Sequence, residues 1–171
     1  MIPFSTLTPV LFRALSLSLG LDPESPSAQD LIRPAWSNTP QTSIDTDVVY
    51  FDLQADTSSS DGYLSGSGTG VSRTIPLTLH LVFYGPNAVE NAHRVRTHLF
   101  LEDSPSSPRR ILRGANLVPI PDPSEPGILH EPEGSLWRTR CDLFLRLRWL
   151  TSESHTMPKI TEPPEINPII F

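Results

Sequence analysis

The sequence holds a single cysteine, Cys141, among its 171 residues. One thiol excludes a disulfide framework within the chain and a zinc site built from several cysteines. Cys141 falls on the apolar side of a predicted strand, and no histidine stands near it in the sequence. We therefore interpret it as a small buried hydrophobe and not as a nucleophile.

Long apolar runs are also missing, and no segment reaches the length of a membrane span. Residues 2–21 contain short apolar runs, but Arg13 interrupts them, and they lack a positively charged start and a small-residue cleavage site. We interpret this stretch as an amphipathic helix that ends at Gly20, with Leu15 and Leu19 on its buried face. We expect no membrane partner.

Positive charge is scarce, because 13 lysine and arginine residues stand against 19 aspartate and glutamate residues, for a net charge of −6. A general nucleic-acid binder neutralises phosphates and is normally basic, so the composition argues against that class. A local basic strip remains compatible with this balance.

Catalytic motifs are missing as well. The five histidines form no H-E-x-x-H arrangement, and His93 and His98 have a poor spacing for binding a metal from one helix face. The glycine-rich run over residues 66–70 precedes a strand and has no following lysine, so it fits no phosphate-binding loop. We predict no catalytic residues, no metal site and no cofactor, and we rank an enzyme last among three functional hypotheses.

Proline, in contrast, is abundant. The 19 prolines cluster within residues 23–40, 105–132 and 158–168, and the apolar fraction is only 37%. These values predict a modest core crossed by long, stiff connections. Such connections are often ordered by packing on a neighbouring subunit, so the composition favours an assembly protein.

The domain organisation follows from the same pattern. We expect one α+β domain over residues 1–150, in which residues 1–30 form an N-terminal helix and linker. An extended proline-rich arm is expected over residues 151–171. Its apolar end is a candidate docking arm for a groove of its own subunit or of a neighbour, and it consists of Ile169, Ile170 and Phe171.

Hydrophobic periodicity predicts four extended segments and two helices. The strands are expected over residues 47–53, 71–83, 111–120 and 135–150, and the helices over residues 8–19 and 86–101. Residues 21–45, 57–70 and 121–134 are interpreted as loops or connections. The predicted fold class is α+β, an about four-stranded, mostly antiparallel sheet with two helices packed on one face, long proline-rich loops and a C-terminal arm.

Apolar and polar side chains alternate along residues 135–150. The odd positions, among them Trp137 and Cys141, are predicted to be buried, and the even positions carry four arginines. A solvated face, a subunit interface with acidic loops and a DNA contact are alternative interpretations of these arginines. With two more on the second helix, the candidate interface or lumen residues are Arg94, Arg96, Arg138, Arg140, Arg146 and Arg148.

A tight turn joins the second predicted strand to the second helix. Gly85 permits a sharp change of direction, and Pro86 presets a helical backbone angle where no amide donor is needed. Two tryptophans are expected to anchor the core or an interface. The predicted turn and anchor residues are Tyr84, Gly85, Pro86, Asn87, Trp36 and Trp137.

Several blocks occur in a fixed order around this turn. They are RPAW at 33–36, DVVYF at 47–51, FYGPNA at 83–88, AHRVR at 92–96, ANLVPIPD at 115–122, EP at 131–132 and LWRTRCDL at 136–143. This order resembles that of the neck or tail terminator proteins of tailed bacteriophages. The resemblance covers residues 31–150, whereas the serine- and glycine-rich loop 56–70 and the segment after residue 151 lie outside it.

The resemblance implies a structural virion protein at the head-to-tail (neck) junction. It implies an oligomeric ring, commonly a hexamer, that caps the tail tube while genomic DNA passes through the lumen without sequence-specific binding. The implied partners are further copies of the chain, the tail tube protein, and connector, adaptor or other neck proteins. The implied location is the virion, after assembly in the host bacterial cytoplasm. The alternative is a binding module that uses its arginine strip on a nucleic acid or an acidic partner protein.

Overall fold

The computed structural model describes residues 4–35, 43, 45–56, 64–67, 70–100, 104–121 and 124–154. Its helices are a 3-10 turn at Phe4–Thr6, α1 at Thr8–Ser18, α2 at Pro26–Leu31, α3 at Ala88–Phe100 and α4 at Pro108–Gly114. Its strands are β1 at Ile32–Pro34, β2 at Val48–Ala55, β3 at Leu64–Ser67, β4 at Gly70–Tyr84, β5 at Leu117–Ile120, β6 at Gly127–Glu133 and β7 at Leu136–Ser154.

The described strands form one seven-stranded sheet with the order β1-β2-β4-β7-β5, in which β3 also pairs with β4 and β6 with β7. β1 runs parallel to β2, and the other pairs of described strands are antiparallel. The predicted α+β class is confirmed. The predicted counts of about four strands and two helices are too low, because several short elements escaped the periodicity signal.

Two of these short elements are helices that begin at a serine-proline pair. The Ser25 side chain accepts a hydrogen bond from a backbone amide of α2, and the Ser107 side chain does the same for α4. Pro26 and Pro108 occupy the first helical turn, where a missing amide donor costs nothing. The interpretation of residues 21–45 as loop was therefore wrong at α2, and that of residues 111–120 as one strand was wrong at α4.

The strand β6 also corrects a prediction. Residues 121–134 were expected to form a connection, but β6 pairs with the first part of β7 in a tight hairpin. Gly134 and Ser135 form the two-residue loop, and Gly134 has φ +64°. β7 itself continues to Ser154, beyond the predicted domain end at residue 150.

The core lies between the sheet and one helical layer. α1, α3 and α4 contact one another, and α3 also packs on β4 and β7. The apolar faces predicted for the two long helices are buried, and Gly20 with φ +76° follows α1 as expected. The buried residues of α3 are Ala88, Ala92, Val95 and Leu99. Each large side chain buried here contributes about 1.5–3 kcal/mol to folding.

The predicted alternation of buried and exposed side chains along β7 is present in the centre of the strand and absent near its start. Cys141 is fully buried, as predicted, and so are the leucines at 143, 145 and 147. Trp137, however, is 70% exposed, and Arg138 is only 4% exposed. The reason is that β4 ends at Tyr84, opposite Arg140, so the preceding residues of β7 pair with β6 alone. The prediction that Trp137 is a buried position was wrong.

Candidate protein interface

The carboxylate of Asp47, just before β2, fixes the turn between β4 and α3. The amide and the side-chain nitrogen of Asn87 donate hydrogen bonds to Asp47, over 3.0 and 2.8 Å. An acceptor at this position satisfies an amide that the first turn of α3 leaves without a helical partner. Asp47 therefore sets the direction in which α3 leaves the sheet.

Gly85 lies directly against this carboxylate. Its φ is +107°, a left-handed conformation that favours glycine. A Cβ built on Gly85 would meet the Asp47 side chain, the Asp47 Cα at 2.7 Å and the Thr46 carbonyl oxygen at 2.8 Å. The predicted role of Gly85 as the residue of the sharp turn is consistent with this geometry.

A charged cluster supports the base of the β6–β7 hairpin. Arg140 donates to both carboxylate oxygens of Asp142, over 2.6 and 2.7 Å, and to Glu131 over 2.5 Å. The hydrogen bonds to Asp142 raise the pKa of Arg140 above its ordinary value. The guanidinium of Arg138 lies 4.4 Å from the ring centre of Tyr84 and 3.5 Å from Glu133. Charge-assisted bonds of this kind hold the hairpin against the end of β4.

The Tyr84 phenol connects the β4–α3 turn to the charged cluster around Arg140. Its hydroxyl donates to Glu131 over 3.2 Å, and burial raises the pKa of Tyr84 above its ordinary value of 10.0. The folded protein therefore favours the neutral phenol. This contribution to stability is complete below pH about 10 and is lost as the pH rises through the folded pKa.

Substitution of Tyr84 by phenylalanine tests this coupling. We expect Tyr84→Phe to lower the free energy of unfolding by about 1.5–3 kcal/mol at neutral pH, because one hydrogen bond to a charged group is removed. The variant should also lose stability less steeply above pH about 10. Urea unfolding at neutral and alkaline pH measures both effects. Equal alkaline slopes for the variant and the parent would contradict the assignment.

The β6–β7 hairpin carries large apolar side chains in solvent, two near its tip and two near its base. The exposed fractions are 70% for Trp137, 58% for Leu136, 54% for Ile128 and 48% for Leu129. Trp137 stands opposite Pro132 across the two strands, so an apolar surface continues onto β6. Several large apolar side chains exposed on one hairpin mark a protein interaction site more often than a single exposed residue does.

A groove separates this hairpin from the β4–α3 turn. Its volume is about 270 Å³, and the turn residues Gly85 and Pro86 face the hairpin residues Leu136 and Trp137 across it. The complete lining is Asp45, Gly85, Pro86, Leu136, Trp137, Arg138 and Thr139. Residues that the sequence singled out separately, as a turn and as a strand, are thus brought together in one place.

The six candidate arginines divide into two groups. Arg94 pairs with Glu90 over 3.0 Å, Arg96 pairs with Glu125 over 3.2 Å, and Arg138 and Arg140 belong to the hairpin cluster. Carboxylates of the same chain therefore engage four of the six. Arg146 and Arg148 are exposed and form no ion pair with any residue that the structure describes. A role of any of the six at a subunit interface or in a lumen stays a prediction.

Two predicted sites lie outside the described residues. These are the anchor Trp36 and the docking-arm residues Ile169, Ile170 and Phe171. Among the residues that the structure does describe, no group of three or more histidine, cysteine, aspartate and glutamate residues is placed to hold a metal ion. In the same part of the chain, no helix is long and apolar enough to cross a membrane.

Sequence reasoning missed the acceptors that organise this surface. Asp47 is 40 residues from Asn87, and only the fold brings them together. Glu131 was considered as a carboxylate of an acidic connection that could pair with the strand arginines, whereas Asp142 was assigned to the polar face of a strand without a link to Arg140. A local signal did exist for the hairpin, because a Gly-Ser pair stands between two extended segments.

Comparison with known families supports the first of these hypotheses. The model of the phage neck terminator protein family matches residues 7–169. The chain belongs to this family. The match reaches well beyond residues 31–150, so the segment after residue 151, which seemed to lie outside the resemblance, is mostly part of it. A search of curated proteins finds no match. Membership in the family supports a structural role at the head–tail junction of the virion.

Proposed function

We propose that this neck terminator assembles as a ring, with a hexamer as the expected form, on the end of the tail tube and joins the tube to the connector. Genomic DNA passes through the lumen of the ring without sequence-specific binding. The family supports the location, and the ring, its partners and its lumen are the proposed part. Head-to-tail packing of unlike faces closes a ring when the rotation between neighbours permits.

The observation that carries the proposal is the β6–β7 hairpin. It extends past the end of β4 and exposes Trp137 on one face and Leu136 on the other. Tryptophan is enriched among the residues that dominate interface energetics, and a rigid hairpin presents it with little loss of conformational entropy. The cluster around Arg140 fixes the base of the hairpin, so this surface is preorganised for a partner.

Electron microscopy of tail tubes made with and without this protein tests the proposed function. We expect tubes that meet the protein to end in a ring and to join connector-bearing heads. Since a terminator can stay monomeric until it meets the tail tip, the protein alone is not a sufficient test. Tubes that never bind the protein, and still join heads, would contradict the proposal.

The alternative function rests on the two exposed arginines that form no ion pair with a described residue. Arg146 and Arg148 share one face of β7 with the exposed Phe144, and aromatic and cationic groups together suit single-stranded nucleic acid. Against this, the net charge of −6 disfavours phosphate binding. A net acidic ring would have a lumen that repels DNA weakly, so that the genome slides through it. A lumen lined mainly by the four β7 arginines would contradict this expectation.

The double substitution Arg146→Glu with Arg148→Glu separates these functions. If the protein functions as a ring, we expect the parent to bind DNA weakly at physiological salt. We also expect the double variant to join heads to tails as the parent does. Fluorescence anisotropy with labelled DNA over a series of salt concentrations measures the affinity. A persistent monomer with tight, salt-sensitive DNA binding that the double variant abolishes would instead establish the binding module.

A further inference from the structure

The β6–β7 hairpin has two edges that lack a neighbouring strand in the described part of the chain. On one side, β4 ends at Tyr84, opposite Arg140, so no described strand lies beside residues 136–139 of β7. The groove of about 270 Å³ runs along this edge, and all four of these residues line it. On the other side, β6 pairs with β7 alone among the described strands. An unpaired edge exposes backbone donors and acceptors and is a template for pairing with another chain.

The strand register fixes which backbone groups lie on these edges. The two-residue loop makes Glu133 and Leu136 a hydrogen-bonded pair, and such pairs recur at every second residue of an antiparallel ladder. Even-numbered residues of β7 therefore direct their amide and carbonyl groups toward β5 and β6. The hydrogen bond that the Leu150 amide donates to Asn116, just before β5, agrees with this direction. Odd-numbered residues of β7 direct their backbone groups to the opposite side.

Two residues on each edge carry backbone amides that point away from the hairpin. In β7 they are Trp137 and Thr139, which lie beyond the end of β4. In β6 they are Ile128 and His130, which stand opposite odd-numbered residues of β7 and are exposed. Pro132 has the same orientation but no amide to donate. Each edge therefore offers two donors and at least two acceptors, enough for a short ladder with another strand.

We propose that β6 of one copy pairs with residues 136–139 of β7 in the next copy, within the groove beside Gly85 and Pro86. The inference deepens the proposed function and rests on it, because it requires copies of the chain to meet. Strands that run along a ring axis keep their direction from copy to copy, so β6 is antiparallel to the β7 of both copies. The two edges differ from each other, as the head-to-tail contacts of a closed ring require. Closure of the ring then leaves no hairpin edge unpaired.

The proline of β6 selects the register of the new pair. Pro132 opposite Trp137 would leave the carbonyl of Trp137 without an amide donor. A shift by two residues places His130 opposite Trp137 instead. Ile128 then stands opposite Thr139, and each of the four amides has a carbonyl to bond. Pro132 lies beyond the end of this ladder, where its missing amide has no effect.

This register also gathers the large apolar side chains that the free subunit exposes on its hairpin. On one face, Trp137 lies diagonal to Ile128 of the next copy, and diagonal neighbours are within reach of an aromatic side chain. On the other face, Leu136 lies diagonal to Leu129 of the next copy. Pairing at the edges therefore gives a cross-strand neighbour to apolar residues on both faces of the hairpin.

The charges of the two edges are complementary. The start of β7 is basic, with Arg138 and Arg140, whereas β6 is acidic, with Glu131 and Glu133. In the proposed register Arg138 stands opposite Leu129 of the next copy and diagonal to its Glu131. No two like charges stand directly opposite each other, an arrangement that would destabilise the pair. A partner with a basic strand would not have this property, which favours a second copy of this chain.

Crosslinking between two differently tagged full-length chains tests the inference. One chain carries His130→Cys in β6, and the other carries Thr139→Cys in β7, which the proposed register places at diagonal positions of one face. The native Cys141 is fully buried, so a short thiol-specific crosslinker reacts at the introduced thiols. We expect crosslinked heterodimers when the chains are mixed in the presence of tail tubes. We expect none when the second chain carries Ser152→Cys, an exposed position at the far end of β7.

The pattern of crosslinks distinguishes this contact from other arrangements. Homodimers of the chain with His130→Cys would mean that β6 pairs with β6 about a two-fold axis, and they would overturn the inference. Equal yields with Thr139→Cys and Ser152→Cys would overturn it as well. Electron microscopy of the same samples reports ring formation independently. Rings without heterodimers would refute the strand contact and leave the proposed function standing, whereas the absence of both would contradict both.

Removal of one backbone donor gives a second measurement. His130→Pro deletes an amide that no described strand uses, and Pro132 shows that β6 accepts proline in this orientation. We expect the variant to keep the circular dichroism spectrum of the parent and to assemble about tenfold more weakly per contact, because one ladder bond is lost. His130→Ala keeps the amide and should assemble like the parent. Equal assembly of the two variants, whether normal or weakened, would overturn the backbone pairing.

Discussion

Replacing Gly85 by alanine is expected to destabilise the protein by about 3–5 kcal/mol. Backbone strain at a positive φ costs a residue with a side chain about 1–3 kcal/mol, and steric overlap adds a similar amount. Both terms apply, since φ is +107° and the added Cβ lies within 2.8 Å of backbone atoms of Asp47 and Thr46. A loss of this size is a large fraction of a typical stability of about 5–15 kcal/mol. Urea unfolding followed by circular dichroism measures it.

Two further variants make this prediction specific to the turn. Gly114, at the end of α4, has nothing within 4 Å of a built Cβ and no positive φ, so Gly114→Ala should leave stability unchanged or raise it by about 0.5 kcal/mol. Removing the Asp47 side chain should not rescue Gly85→Ala, because the overlap with the backbone remains. The prediction is contradicted if Asp47→Gly fully restores the stability of Gly85→Ala, or if Gly85→Ala alone leaves stability unchanged. Either result would show that the turn adjusts its backbone to accept the added Cβ.

Local patterns were sufficient for the long elements of this fold. The helical spacing of Ala88, Ala92 and Val95 placed α3, and the alternation from Cys141 to Leu147 placed the centre of β7. Each pattern arises because one side of the helix or strand packs against the core. This periodicity of apolar residues is visible in the sequence itself. The turn at Gly85 was equally readable, because few residues other than glycine adopt its conformation.

The short elements required information that the chain does not carry locally. Proline at residues 26 and 108 is compatible with a loop and with the first turn of a helix, and the serine before each proline resolves the ambiguity only when a helix follows. The strand β6 is also proline-containing, with Pro132 opposite Trp137. Pairing with the long β7 stabilises it, and this is a tertiary effect.

The exposure of Trp137 shows the limit most clearly. Alternation assigns Trp137 and Cys141 to the same face of β7, and that assignment agrees with the strand register. Burial depends in addition on what covers the face, and β4 ends opposite Arg140. No residue near Trp137 in the sequence indicates where β4 ends. The same limit explains why Arg138, for which a solvated face was one of three interpretations, lies buried over the Tyr84 ring.

Substitution of Trp137 by alanine is expected to weaken subunit assembly by about thirtyfold per interface without unfolding the subunit. Loss of an interface tryptophan in a buried position commonly costs about 2 kcal/mol or more, and every contact of a closed ring repeats the loss. In the isolated subunit the side chain is 70% exposed, so the free energy of unfolding should change by less than about 0.5 kcal/mol. Mass photometry on tail tubes measures assembly, and urea unfolding measures stability.

The matched control for this variant is Phe144→Ala, which removes another half-exposed aromatic ring from the same strand. Phe144 stacks on His80 at 4.3 Å in the middle of the sheet, far from the hairpin tip. If the interface is the hairpin, Phe144→Ala should assemble like the parent. Equal loss in both variants would move the interface to the open face of the sheet, and normal assembly of Trp137→Ala would remove the hairpin from it. An interface at the hairpin predicts one further effect: Arg140→Met should disturb assembly through the position of Trp137, because the hydrogen bonds of Arg140 to Asp142 and Glu131 support the base of the hairpin.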